Sequence, residues 1–232
     1  MNLTAAQLAA ALDSTNLRLD ASAADITALC TEAVAHRFAC VMIYPASVPH
    51  AAEVLAGSGI KIGTVIGFPS GRFSTEAKAA EIDAANAAGA AEVDIVMNYA
   101  ALRDGQMDVV DIELRALAQR AHGYGQLVKV IVETCYLDAD QRLAALRLCE
   151  AAGVEFIKTS TGFGSAGAKV DHIAAWAAAR RGDIRIKASG GIKTLADARA
   201  LLDAGAVRLG TSSAAAIVAE LNGGAAAVGG GY

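Results

Sequence analysis

Long apolar runs are absent: no stretch of the chain approaches the roughly 18 uninterrupted apolar residues that a membrane-crossing helix needs. The opening residues Met1-Asn2-Leu3-Thr4 also lack the basic start and continuous apolar core of an export signal, so a cytoplasmic location with no membrane partner is expected. The four cysteines, Cys30, Cys40, Cys135 and Cys149, form no C-x-x-C pair, which argues against both a zinc site and a disulfide framework. His36, His50, His122 and His172 lack the i, i+4 pairing of a helical metal site, so no metal is expected. A strong charge of one sign is missing too. With a net charge of −4 and its Lys and Arg dispersed, the chain offers no basic field to a nucleic-acid backbone, and nucleic acid is not expected as a partner. An anionic ligand would have to be held by local dipoles and a few aimed cations.

What the chain does contain is alternation. At 232 residues, with 54% hydrophobic and 19% charged, it has material for one large core and no signature of disorder. Short β-branched runs recur, each followed by an alanine-rich helical stretch, and no Pro/Ser-rich linker divides them. Strands are expected near Leu12 to Thr15, Cys40 to Ile43, Lys61 to Ile66, Val93 to Asn98, Leu127 to Glu133, Glu155 to Thr159, Ile184 to Ala188 and Val207 to Gly210. Capping pairs mark helix starts at Thr4/Gln7, Ser22/Asp25, Asp138/Gln141 and Thr194/Asp197, while Gly89, Gly153 and Gly205 mark helix ends. Eight βα units predict an α/β protein, a (β/α)8 TIM barrel with a short N-terminal helix, over residues 1–222. An open dinucleotide-binding sheet would want G-x-G-x-x-G after the first strand, where this chain has Asp13-Ser14-Thr15-Asn16-Leu17. The glycine-rich residues 223–232 predict a flexible tail.

In such a barrel the chemistry sits at the C-terminal ends of the strands. Three successive strands carry a lysine among apolar residues, Lys129, Lys158 and Lys187, and burying an ammonium is costly unless it is paired or loses its proton. If Lys158 and Lys187 face each other inside the barrel, their repulsion is expected to lower one amine's pKa and leave a nucleophile for a carbonyl. The alternative is a static ion pair with Asp94 or Glu133. Asp94 lies between Val93 and Ile95, so alternation turns it toward the barrel interior, where it can relay protons or simply pair with the lysines. Ser189-Gly190-Gly191 and Gly210-Thr211-Ser212-Ser213 would present backbone N–H groups to an anion, and together they predict a phosphorylated carbonyl substrate.

The chain resembles the deoxyribose-phosphate aldolases. The likeness rests on Asp13-Ser14-Thr15, Cys40 to Pro45, Gly63 to Gly71, Gly89 to Asn98, Lys158 to Phe163, Lys187 to Gly191 and Gly210 to Ser213. It implies a class I aldolase that cleaves 2-deoxy-D-ribose 5-phosphate to D-glyceraldehyde 3-phosphate and acetaldehyde with no cofactor. Lys158 would form the Schiff base, and Lys187 and Asp94 would move protons. The resemblance also implies substrate-binding roles for Asp13, Thr15, Cys40, Lys129, Thr159, Gly190, Gly191, Gly210, Ser212 and Ser213, a proton-transfer role for the terminal Tyr232, and a homodimer. Phe163 stands where some relatives carry a phosphate-binding lysine, which predicts modest phosphate affinity and some acceptance of unphosphorylated aldehydes. A different Schiff-base barrel would not need both lysine motifs, and a catalytically dead barrel would be expected to lack Asp94, Lys158 or Lys187.

Overall fold

The computed structural model describes residues 3–224. Eight strands close into a barrel in chain order: β1 (Leu12–Asn16), β2 (Cys40–Ile43), β3 (Lys61–Ile66), β4 (Glu92–Val96), β5 (Leu127–Ile131), β6 (Phe156–Lys158), β7 (Arg185–Ser189) and β8 (Arg208–Thr211). Every neighbouring pair is parallel, and β1 closes the ring against β8. Outside it run α1 (Ala5–Ala11), α2 (Ala23–His36), α3 (Val48–Val54), α4 (Thr75–Ala88), α5 (Tyr99–Arg103), α6 (Met107–Gly123), α7 (Ala139–Ala152), α8 (Val170–Ala179), α9 (Leu195–Asp203) and α10 (Ala214–Leu221). The expected barrel and its short N-terminal helix are both present. The tail beyond Gly224, including Tyr232, lies outside the described residues.

Local chemistry sets the helix boundaries. Capping boxes form at Thr4, Ser22, Asp138 and Thr194, each side chain accepting from the N–H three residues on. Gly89 and Gly153 end α4 and α7 in the left-handed conformation that a Cβ would disfavour. Three strands stop earlier than the apolar pattern predicts. Asn98 leaves β4 to cap α5, its side chain accepting from Ala101 N–H at 3.1 Å. Glu133 sits at φ 53 and cannot extend β5, and Thr159 follows the end of β6.

Alternation along the strands divides the core in two. Val41, Val93, Ile95, Val128, Val130, Ile157, Ile186 and Leu209 face the helices in one continuous apolar shell. The lumen is asymmetric. On the β2–β3 side it is apolar, with Leu17, Cys40, Met42 and Val65 packed together. On the remaining side it holds Asp13, Glu92, Asp94, Lys129, Lys158 and Lys187, all buried. Register places Lys158 directly opposite Lys187, and Asp94 opposite Lys129.

Candidate active site

Asp94 is the hub. Its Oδ1 accepts from Lys129 Nζ at 2.7 Å, while its Oδ2 accepts from Lys158 at 2.7 Å and from Lys187 at 2.8 Å. Burial alone would push the Asp94 carboxyl up, but the three ammonium groups, Lys129 foremost, hold it well below the ordinary carboxylate range. Asp94 is therefore ionised. Lys187 also donates to Asp13, whose other oxygen takes the Arg208 guanidinium, with Nε at 2.8 Å. Burial again opposes ionisation, yet Lys187 and Arg208 lower Asp13 to about 2.

Above this cluster opens a cavity of about 140 Å³. Of the four lumen cations Lys129, Lys158, Lys187 and Arg208, only Lys158 lines it, with 3% of its side chain exposed against none for Lys129 and Lys187. Burial is the main cause that lowers Lys158 to about 8, opposed by Asp94, with Lys187 adding a smaller push in the same direction. The expected repulsion from Lys187 acts in that direction, but desolvation is the larger effect. An amine with this pKa is neutral in roughly one molecule in ten at pH 7, against fewer than one in a thousand for an ordinary lysine.

The far wall of the cavity is built from backbone. Gly190, Gly191, Gly210 and Ser212 line it, with the Lys193 side chain at the rim. The β6–α8 loop crosses the end of β7 so tightly that a Cβ on Gly167 would lie 2.1 Å from Gly190 O. Ala168 N–H closes that crossing on the carbonyls of Ser189 and Gly190, at 3.0 and 3.1 Å. At Gly210 a Cβ would lie 3.2 Å from Lys187 Cε, so the missing side chain gives that lysine its room. Glycine amides and one ammonium around a small cavity suit an oxyanion.

The predicted site residues separate into two tiers. Lys158, Thr15, Gly190, Gly191, Gly210 and Ser212 line the cavity. Asp13, Asp94, Cys40, Lys129 and Lys187 are fully buried beneath it. Thr159 does not reach the cavity, because its hydroxyl donates to Ser189 O at 3.1 Å and accepts from Ser189 N–H at 3.0 Å, tying β6 to β7. Two residues on, Thr161 lines the cavity instead, its hydroxyl and N–H both held by Glu133. Ser213 donates its N–H to Thr211 Oγ1 at 2.9 Å and precedes α10 without lining the cavity. Cys40 donates its thiol to Val41 O at 3.1 Å, and burial pushes that thiol well above its usual range, so it is an inert filler.

Glu92, Arg208 and Lys193 also belong to the site, although the polar residues that close the apolar strands do not include them. The first two share the inward parity of Asp94 and Lys187, but lie toward the N-terminal ends of their strands. Asp13, Cys40 and Glu92 form the one grouping of potential metal ligands among the described residues. Both of those carboxylates are already engaged, Asp13 by Lys187 and Arg208, and Glu92 by Lys129 at 2.6 Å and Arg208 at 3.1 Å. The protein's own cations do there what a metal would do.

Comparison with known proteins agrees with this geometry. Residues 7–224 match the DeoC/LacD family aldolase pattern. The deoxyribose-phosphate aldolase of Aciduliprofundum boonei is 42% identical over 94% of this chain and 99% of its own length. Deoxyribose-phosphate aldolase 2 of Bacillus licheniformis is 45% identical over 91% of this chain and 95% of its own. Among solved structures, the deoxyribose phosphate aldolase of Aeropyrum pernix, described as a tetramer, superposes with a TM-score of 0.88 at 30% identity, covering 94% of this chain and 92% of that one. This closed barrel, with Lys158 facing the cavity from an ionised aspartate and with matches over nearly its whole length, belongs to the DeoC/LacD family of aldolases.

Proposed function

We propose that this protein is a class I aldolase that reversibly cleaves 2-deoxy-D-ribose 5-phosphate to D-glyceraldehyde 3-phosphate and acetaldehyde through a Schiff base on Lys158. The observation that carries the reading is that Lys158 alone among the lumen cations faces the cavity, with its pKa lowered to about 8. Neutral Lys158 Nζ attacks the C1 aldehyde, and loss of water gives a protonated imine. Removal of the C3 hydroxyl proton then breaks the C2–C3 bond, and its electron pair flows into the iminium. D-Glyceraldehyde 3-phosphate leaves, the remaining enamine is protonated at C2, and hydrolysis of the imine releases acetaldehyde. The iminium is the electron sink, so the reaction needs neither metal nor organic cofactor.

Asp94 answers two needs of this sequence. Its negative charge offsets the iminium, and its Oδ2, shared by Lys158 and Lys187, gives a proton a direct path between the two amines. The phosphate would rest on the Gly190, Gly191 and Ser212 wall beside Lys193. Phe163, packed edge-on against Phe68 with ring centroids 5.3 Å apart, offers that phosphate no cation, so some acceptance of unphosphorylated aldehydes is part of the proposal. A cytoplasmic homodimer completes the proposal.

The direct test is incubation with 2-deoxy-D-ribose 5-phosphate while following acetaldehyde and D-glyceraldehyde 3-phosphate by NMR; folded protein that yields neither product ends the reading. Below the Lys158 pKa of about 8, kcat/KM is expected to rise about tenfold per pH unit and then flatten, because only the neutral amine attacks. A profile flat from about pH 5 upward contradicts this. Gly167→Ala is expected to spread the loop crossing and raise KM for the phosphorylated sugar by about tenfold. Trapping of acetaldehyde, which carries no anion, should change far less. Equal losses in both would mean the crossing supports the fold and not the anion wall.

A further inference from the structure

Below the cavity the lumen charges form a closed alternating circuit. Starting at Asp94, it runs through Lys129, Glu92, Arg208, Asp13 and Lys187, and returns to Asp94. Three carboxylates and three cations are consumed in that ring, each cation bridging two acids. Lys158 is the fourth cation. It joins only at Asp94 Oδ2, an oxygen it shares with Lys187. The circuit and Lys158 together thus hold four positive and three negative groups, and the surplus positive charge falls on the one member of that set that meets the cavity.

We infer that Glu92 and Arg208 are positioning residues: by closing the circuit at the barrel floor they commit Lys129 and Lys187 to carboxylates and leave Lys158 as the surplus, reactive amine. Neither residue lines the cavity. The inference rests on the Schiff-base reading above and adds what selects the lysine. Other groups around Lys158 stand outside the circuit and are the same in every variant considered below. On β2 the Cys40 thiol stays protonated, and the buried inward residues of β3, Gly63 and Val65, carry no charge, Lys61 at the same parity being exposed to solvent. After β5, burial raises the Glu133 carboxyl, which is engaged by Thr161. On β7, Arg185 stacks on the Phe156 ring at 4.1 Å and is exposed to solvent. Lys193 sits at the solvent rim.

Charge counting makes the two residues act in opposite directions. Glu92→Gln removes an acid, so the surplus grows and Lys158 sheds its proton more readily. Arg208→Met removes a cation, so the remaining charges balance and Lys158 keeps its proton. The experiment is the rate of borohydride-trapped acetaldehyde adduct, read by intact mass across pH in the full-length protein. Relative to wild type, the rising limb is expected to move down by about one pH unit in Glu92→Gln, up by about one in Arg208→Met, and to stay in place in Arg208→Lys. A purely structural role would slow both variants and leave the limb where it was, and that result overturns the inference. If Arg208→Met fails to fold by circular dichroism, the isosteric Glu92→Gln decides alone, an unmoved limb again overturning it. Wild-type protein that forms no adduct at any pH instead removes the Schiff-base reading, and this inference with it.

Discussion

Replacing Lys158 with methionine is expected to lower aldolase turnover by about 10⁴-fold or more and to make the protein more stable. The first effect follows from the loss of the one buried lumen amine that reaches the cavity. The second follows from the charge count. Lys158 is buried, and burial is the main cause that lowers its pKa from 10.5 to about 8. A lysine with a lowered folded pKa holds its proton less well in the fold than in the unfolded chain, so at neutral pH it costs stability. That cost is absent above the unfolded value, builds as pH falls from 10.5 toward about 8, and is fully present below it. Removing the ammonium leaves the six-membered circuit neutral, and a gain of ~1–3 kcal/mol at neutral pH is expected. Urea unfolding of wild type and Lys158→Met, at neutral pH and again at high pH, measures it. The gain should shrink as pH rises; a loss of stability at neutral pH would mean that Lys158 is an ordinary satisfied partner of Asp94.

Asp94→Asn is expected to do the reverse on stability and the same on rate. Three ammonium groups share that carboxylate, and its neutral replacement leaves two of them with one acid each and Lys158 with none. Removing one member of a buried charged set costs ~3–5 kcal/mol, and loss of the iminium's counter-charge and of the proton path is expected to cut kcat by about 10³-fold. The acid limb of stability changes as well. Asp94 lies well below the usual carboxylate range and Asp13 is lowered to about 2. Groups with depressed folded pKa stabilise fully above their unfolded value and lose that contribution as pH falls through the folded one. Wild type is therefore expected to lose stability steeply between about pH 4 and about pH 2. Asp94→Asn should start lower and fall less steeply over that range. Equal slopes for the two proteins would show that Asp94 does not carry the linkage.

The architecture was open to sequence reading because one period governs it. Val93-Asp94-Ile95 and Val128-Lys129-Val130 each set a charged residue between two apolar ones, and period-2 alternation in a parallel strand leaves only the lumen for it. Helix starts were equally local, since a capping box needs only residues three apart. Sequence could not resolve which tier a lumen residue occupies. Lys129 and Lys158 look alike in the chain, yet register puts Lys129 beside Asp94 and Lys158 two residues further along β5, at Ile131. Thr159 and Thr161 differ by two positions, but Thr159 turns to β7 while Glu133, in its left-handed conformation, holds Thr161 toward the cavity. Glu92 and Arg208 were invisible to a search of C-terminal strand ends, although parity alone points them inward. The Gly167–Gly190 crossing joins residues far apart in sequence, and no local pattern announces it.

Borohydride reduction in the presence of acetaldehyde, followed by peptide mass mapping, tests the central claim that Lys158 is the Schiff-base amine. Reduction fixes the imine as a stable N-ethyl group on the lysine that formed it. One adduct is expected, on the peptide containing Phe156-Ile157-Lys158-Thr159. An adduct on Lys187 or Lys129, or folded protein with no adduct at all, would contradict it.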